Sequence, residues 1–148
     1  MELKPDFKQA VIATGLAILS LWAIEILDNM LGLGLARLGV YPREAAGLAG
    51  ILFAPLIHGS WNHLLSNSIA LLILGSVLLY GYPRSALPVL VSVYFITGIC
   101  VWLFARSNFH IGASGITHGM MFFIFTIGIL RRDRLSIALS MIVFFLYG

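Results

Sequence analysis

The chain has 148 residues, of which 60% are hydrophobic and only 10% charged, which excludes a soluble domain able to cover itself with polar surface. What remains is an integral membrane protein built as one unit over 1–148. Nine Lys and Arg against six Asp and Glu form no extended basic patch, so nucleic acid is not an expected partner. The single cysteine, Cys100, excludes an internal disulfide or a thiolate metal site, and no cofactor or metal is expected.

The first apolar run, 10–27, follows a short charged start and has the outline of a signal peptide, but no small-residue cleavage site follows it. It reads as a retained transmembrane helix, with Glu25 and Asp28 near its far end, where a carboxylate reaches the interface. Residues 28–62 carry Gly32, Gly34 and Gly39, then Tyr41-Pro42-Arg43-Glu44, then an apolar patch over 48–57. This pattern suits a structured, partly inserted loop.

Three further apolar runs, 64–80, 87–104 and 116–130, are each long enough for a helix, and 135–148 is a last run of 14 residues. A span needs about 20 residues, so that run reads as incomplete and the sequence as a fragment of a longer protein. The fold expected is an all-α polytopic transmembrane helix bundle with five helices visible, the fifth incomplete, and a sixth beyond Gly148. Alternating the sides of these helices puts Lys4, Lys8, Arg84, Arg131, Arg132 and Arg134 on one face and Arg37, Arg43 and Arg106 on the other. The positive-inside rule then makes the N-terminus cytoplasmic and turns the 28–62 loop outward.

Two polar clusters interrupt these apolar helices, and polar groups inside a membrane are costly enough to suggest function. His58-Gly-Ser-Trp-Asn-His63 leads to Asn67, and His63 and Asn67 are four apart, on one face of the second helix. Gly112-Ala113-Ser114-Gly115 opens the fourth. A helix from Ser114 to Leu130 rises about 25 Å against a hydrocarbon core of about 30 Å, so Ser114 should lie below the outer surface. Gly112 and Gly115 permit an unusual backbone there, and the helix N-terminus aims free N–H groups at a developing anion.

Singly, each cluster has a structural explanation. Gly115-x-x-x-Gly119 is a packing face, and His63 with Asn67 suits an interhelical hydrogen-bond clasp. Together they supply a hydroxyl nucleophile and neutral donors, the content of an acyl-transfer site. His118, one turn beyond Ser114, can bring its imidazole toward the hydroxyl, but reads chiefly as a stacking or hydrogen-bonding neighbour of a general base supplied from elsewhere. His110 reads as an interfacial residue, and Trp22, Trp61 and Trp102 as interfacial aromatics. A small transporter or channel would need polar residues spaced along the helices through the midplane, and these are absent from the sequence.

His58, His63 and Asn67 at the second helix, Gly112-Ala113-Ser114-Gly115 at the fourth, the long loop between the first two helices, and Val40-Tyr-Pro-Arg43 together resemble the rhomboid intramembrane serine proteases of compact bacterial type. The resemblance implies a membrane-embedded peptidase acting on transmembrane protein substrates, in a bacterial inner membrane with its active site opening outward. It implies Ser114 as nucleophile, His63 and Asn67 with the Ser114 N–H as oxyanion donors, His58 as their support, and Gly112 and Gly115 as motif backbone. It puts the general-base histidine on a sixth helix, outside this chain, so that the 148 residues alone should be inactive. His118 stands where the family usually has an aromatic residue, and Gly115 and Gly119 would let the sixth helix approach. The resemblance also implies a hydrogen-bonding anchor for the outer loop at Arg43, with a solvated interfacial arginine as the alternative. The rival reading is a catalytically inactive rhomboid-like protein that binds membrane clients.

Overall fold

The computed structural model describes residues 6–147, so the expectations that rest on Lys4 and Gly148 lie outside the described residues. Its helices are α1 (Phe7–Leu31), α2 (Gly50–Phe53), α3 (Trp61–Gly81), α4 (Pro83–Phe104), α5 (Ser114–Arg131) and α6 (Arg134–Tyr147). Among the described residues four of these, α1, α3, α4 and α5, are long and apolar enough to cross a membrane. The fold is the all-helical membrane bundle expected, and α6 is the short fifth run.

Local chemistry explains where the helices begin and end. Asp6 closes a capping box with Gln9, accepting the Gln9 N–H at 2.7 Å and donating its own N–H to Gln9 Oε1 at 3.0 Å. Helix α1 ends at Gly32, whose φ of +60° suits a left-handed C-cap. These caps carry α1 beyond both limits of the apolar run. Glu25, near the far end of α1, is buried, only 4% exposed. One of its oxygens accepts from Asn29 Nδ2 at 3.1 Å, and the other has no partner among the described residues. Helix α4 likewise starts earlier than the apolar run, because Pro83 fits the first helical turn, where its missing N–H costs nothing.

Helix α5 is central, packed against α3, α4 and α6, while α1 lies against α3. The main core joins Leu74 and Leu78 of α3 to Met120, Met121 and Ile124 of α5 and Val143 of α6. Large apolar side chains such as Leu16, Leu87 and Phe122 remain on the outside, as a lipid-facing surface requires. The starts of α1 and the α3–α4 and α5–α6 connections share one end of the bundle. That end gathers Lys8, Arg84, Arg131, Arg132 and Arg134.

At the opposite end, residues 32–60 form a series of tight turns fastened to the α4–α5 connection. Val40 and His110 exchange two backbone hydrogen bonds of 2.9 Å, and Gly112 N–H donates to the Ala54 carbonyl at 2.8 Å. Arg43, at φ +62°, donates to the carbonyls of Leu103 (3.4 Å) and Ala105 (2.8 Å) and to Ser107 Oγ (3.2 Å). These bonds cap the end of α4 and make Arg43 an anchor. Trp102 Nε1 donates to the Glu44 carbonyl at 2.9 Å, and Tyr94 hydroxyl to that of Leu52. Trp22 stacks on Trp61 at 5.9 Å and donates to Ser68 Oγ at 3.0 Å. Trp22 and Trp102 thus also act as packing and hydrogen-bonding residues. His110 is similarly tied into the loop, its Nε2 lying 2.9 Å from the Arg106 carbonyl.

Candidate active site

The first wall of the site is the start of α3. Ser60 caps the helix by accepting the His63 N–H at 3.2 Å, and this fixes the turn from which His63 and Asn67 project on one face. His58, in the preceding turn, is buried and meets the His63 ring edge to face at 5.2 Å between centroids. Neither His58 ring nitrogen has a hydrogen-bond partner among the described residues. Burial, and then repulsion from His63, holds His58 down to about 4, with the Leu56 backbone offsetting part of the effect. The ring is neutral near neutral pH, so it meets His63 as a packing surface without charge.

The second wall is the start of α5. Gly112 takes φ +107°, a conformation that side-chain-bearing residues rarely adopt, and Ser114 is the first residue of the helix. The His63 ring lies directly against Gly112, since a Cβ there would come within 2.7 Å of His63 Nε2. The close approach of α3 to the Ser114 turn therefore depends on the absent side chain.

Between these walls is a cavity of about 360 Å³ lined by His63, Ser66, Asn67, Ala70, Ser114, Thr117, His118 and Leu146. Among the described residues, the Ser114 hydroxyl, the His63 ring and the Asn67 amide make no hydrogen bond. Asn67 Nδ2 is moreover fully buried. A buried donor without an acceptor costs about 1–3 kcal/mol, so this arrangement is expensive unless something arrives to accept from it. The Ser114 and Gly115 N–H groups, the first two of α5, also have no partner among the described residues, and Ala113 provides no side-chain cap. The site thus gathers one hydroxyl and unpaired polar side chains around a common space, with Asn67 Nδ2 buried in its wall. A second cavity, of about 170 Å³, reaches Ser114 from the other flank and is lined by apolar groups including Val40, Ile51, Pro55 and Ile111.

Two expectations need correction. His118 does not turn to the hydroxyl: its Nδ1 lies 2.7 Å from the Ser114 carbonyl oxygen, which also accepts from Thr117 Oγ1 at 2.8 Å. Gly115 and Gly119 face α4, where a Cβ would run into Thr97 and Val93 respectively. That face is already occupied and offers no approach to a further helix. Ser66 and Thr117 were not anticipated as cavity residues, although each lies three positions from a named residue and so shares its face. No group of His, Cys, Asp and Glu among the described residues could hold a metal ion, and Cys100 is exposed.

Comparison with known proteins adds the family. The chain is similar to the uncharacterized protein Rv1337 of Mycobacterium tuberculosis, 34% identical over 135 residues that cover 86% of this chain and 56% of the relative. It is also similar to the uncharacterized protein ML1171 of Mycobacterium leprae, 32% identical over 134 residues, covering 86% and 53%. The chain thus spans about half the length of the curated relatives it matches. No solved structure matches it. The Rhomboid domain matches residues 45–148, a stretch that includes α3 to α6 and every residue of the candidate site. With its four membrane-length apolar helices, the chain is an integral membrane protein that belongs to the Rhomboid domain family.

Proposed function

We propose that this chain supplies the nucleophile and the oxyanion donors of an intramembrane serine endopeptidase, which hydrolyses a peptide bond in or near a transmembrane segment of a membrane-protein substrate. The observation that carries the reading is the convergence of the unbonded Ser114 hydroxyl, His63 ring and buried Asn67 amide on one cavity. A structural clasp would bond these groups to one another, whereas an acyl-transfer site keeps them free for the substrate.

In this reading Ser114 Oγ attacks the scissile carbonyl carbon and gives its proton to a general base. The family resemblance makes that base a histidine on a further membrane helix. The oxyanion accepts hydrogen bonds from the His63 ring, Asn67 Nδ2 and the Ser114 N–H, each worth about 10²–10³ in rate in comparable sites. Collapse expels the amine, which takes the proton from the base, and water then cleaves the acyl-enzyme. His58 keeps the His63 ring in place from behind. The basic end of the bundle favours a cytoplasmic N-terminus and a site opening on the far side of a bacterial inner membrane.

The test is labelling of the complete protein with a fluorophosphonate, in wild-type form and as Ser114→Ala. Labelling and cleavage of a transmembrane substrate are both expected to vanish in the variant. Equal labelling of the two proteins would remove Ser114 from the mechanism, and a wild-type protein inert to the reagent would support the client-binding alternative.

A further inference from the structure

Helix α5 begins without a side-chain cap: the Ala113 carbonyl accepts the Ile116 and Thr117 N–H groups at 2.9 and 3.0 Å, while the Ser114 and Gly115 N–H groups have no partner among the described residues. Ala113 has no side chain that could cap it, and glycines stand at 112 and 115. Such an end should fray, yet a nucleophile needs a fixed one. Two side chains from the helix itself tie the turn, since Thr117 Oγ1 and His118 Nδ1 both reach the Ser114 carbonyl, at 2.8 and 2.7 Å. A carbonyl oxygen has no proton to give. His118 Nδ1 must therefore carry the hydrogen, and the neutral ring keeps its lone pair on Nε2.

We propose that His118 is a positioning residue for Ser114. Its Nδ1–H holds the Ser114 carbonyl and so fixes the backbone that bears both the hydroxyl and the oxyanion N–H, on the wall of a cavity that His118 itself lines. The inference rests on Ser114 being the nucleophile. Both bonds are made to a carbonyl, so they brace the turn without engaging the serine hydroxyl. Both the neutral ring and the imidazolium carry Nδ1–H, so the bond survives protonation of His118. The other titratable side chain lining this cavity is His63, on α3, with His58 packed behind it.

Three variants of the complete protein separate the possibilities. Asn places an N–H near the position of Nδ1, Gln places one near that of Nε2, and Phe keeps the ring alone. Fluorophosphonate labelling rates are expected within about threefold of wild type for His118→Asn. His118→Gln and His118→Phe should each lose about tenfold or more, through the maximal rate and not through reagent affinity. Hydrogen exchange over 112–118 gives a readout independent of activity, and it should quicken in the Gln and Phe variants but not in Asn. A wild-type rate and exchange in the Phe variant would overturn the proposal in favour of simple ring packing. Loss of labelling in the Asn variant as complete as in Ser114→Ala would overturn it in favour of direct action by Nε2. If wild type itself is not labelled, the reading of Ser114 fails, and the exchange pattern still decides whether His118 orders the turn.

Discussion

The imidazole of His63 rests against the α-carbon of Gly112, with room for a hydrogen atom and not for a methyl group. Residue 112 also has a φ of +107°, so any side chain there adds backbone strain to the collision. Gly112→Ala should cost about 1–3 kcal/mol of stability and push the two walls of the cavity apart. A displacement of about 1 Å between nucleophile and oxyanion donors is worth roughly a hundredfold in rate. Labelling of Ser114 should fall by that factor in protein that still unfolds cooperatively in detergent, and a variant with the wild-type rate would show that His63 and Gly112 need not touch.

Gly119 and Val93 give a second, purely structural prediction. A Cβ at 119 would lie 2.8 Å from Val93 Cγ2, so Gly119→Ala should destabilise by about 1–3 kcal/mol through overpacking. Val93→Ala removes the obstructing methyl groups. The double variant should therefore be more stable than the sum of the single effects by about 1 kcal/mol or more, measured by titrating unfolding in mixed micelles. Additivity within about 0.5 kcal/mol would mean that α5 does not pack on α4 at this point.

The facing of Ser114, His63 and Asn67 can be read from the sequence because the helical period places residues four apart together, and because both motifs open helices at the same end of an alternating bundle. The neighbour of Gly115 and Gly119 cannot be read in the same way. A stripe of small residues says that something comes close, but β-branched Thr97 and Val93 on α4 carry no matching mark. His118 is ambiguous for another reason: the hydroxyl and the carbonyl of Ser114 are both one turn away, and only the side-chain rotamer chooses between them. The burial of Glu25 is not legible either, because an apolar run facing lipid and protein alike does not mark which side of α1 packs on α3.

His58 should make stability depend on pH. Its ring titrates near 6.5 in an unfolded chain and is held to about 4 in the fold, so the fold prefers the neutral form. The contribution is complete above pH 6.5 and is lost as pH falls from there toward 4, by about 3 kcal/mol in all. His58→Gln cannot titrate, and its stability should decline less steeply than that of wild type across this window. Unfolding midpoints at pH 7 and pH 4.5 provide the comparison, and parallel declines in the two proteins would exclude His58 as the source.

Asn67 separates the two explanations of the α3 cluster, because they predict opposite effects on stability. As an interhelical clasp, its loss would leave partners unsatisfied and cost about 1–3 kcal/mol. In the structure, however, Nδ2 is buried without an acceptor, so the folded protein already bears that penalty. Asn67→Leu, which keeps the volume and removes the donor, should leave stability unchanged or raise it by up to about 1 kcal/mol. The same change should slow reaction at Ser114 by about 10²–10³, the cost of losing one oxyanion donor. A protein made more stable and less reactive by one substitution carries its strain where the substrate is to bind. Substantial destabilisation with an unchanged labelling rate would instead return Asn67 to a structural role.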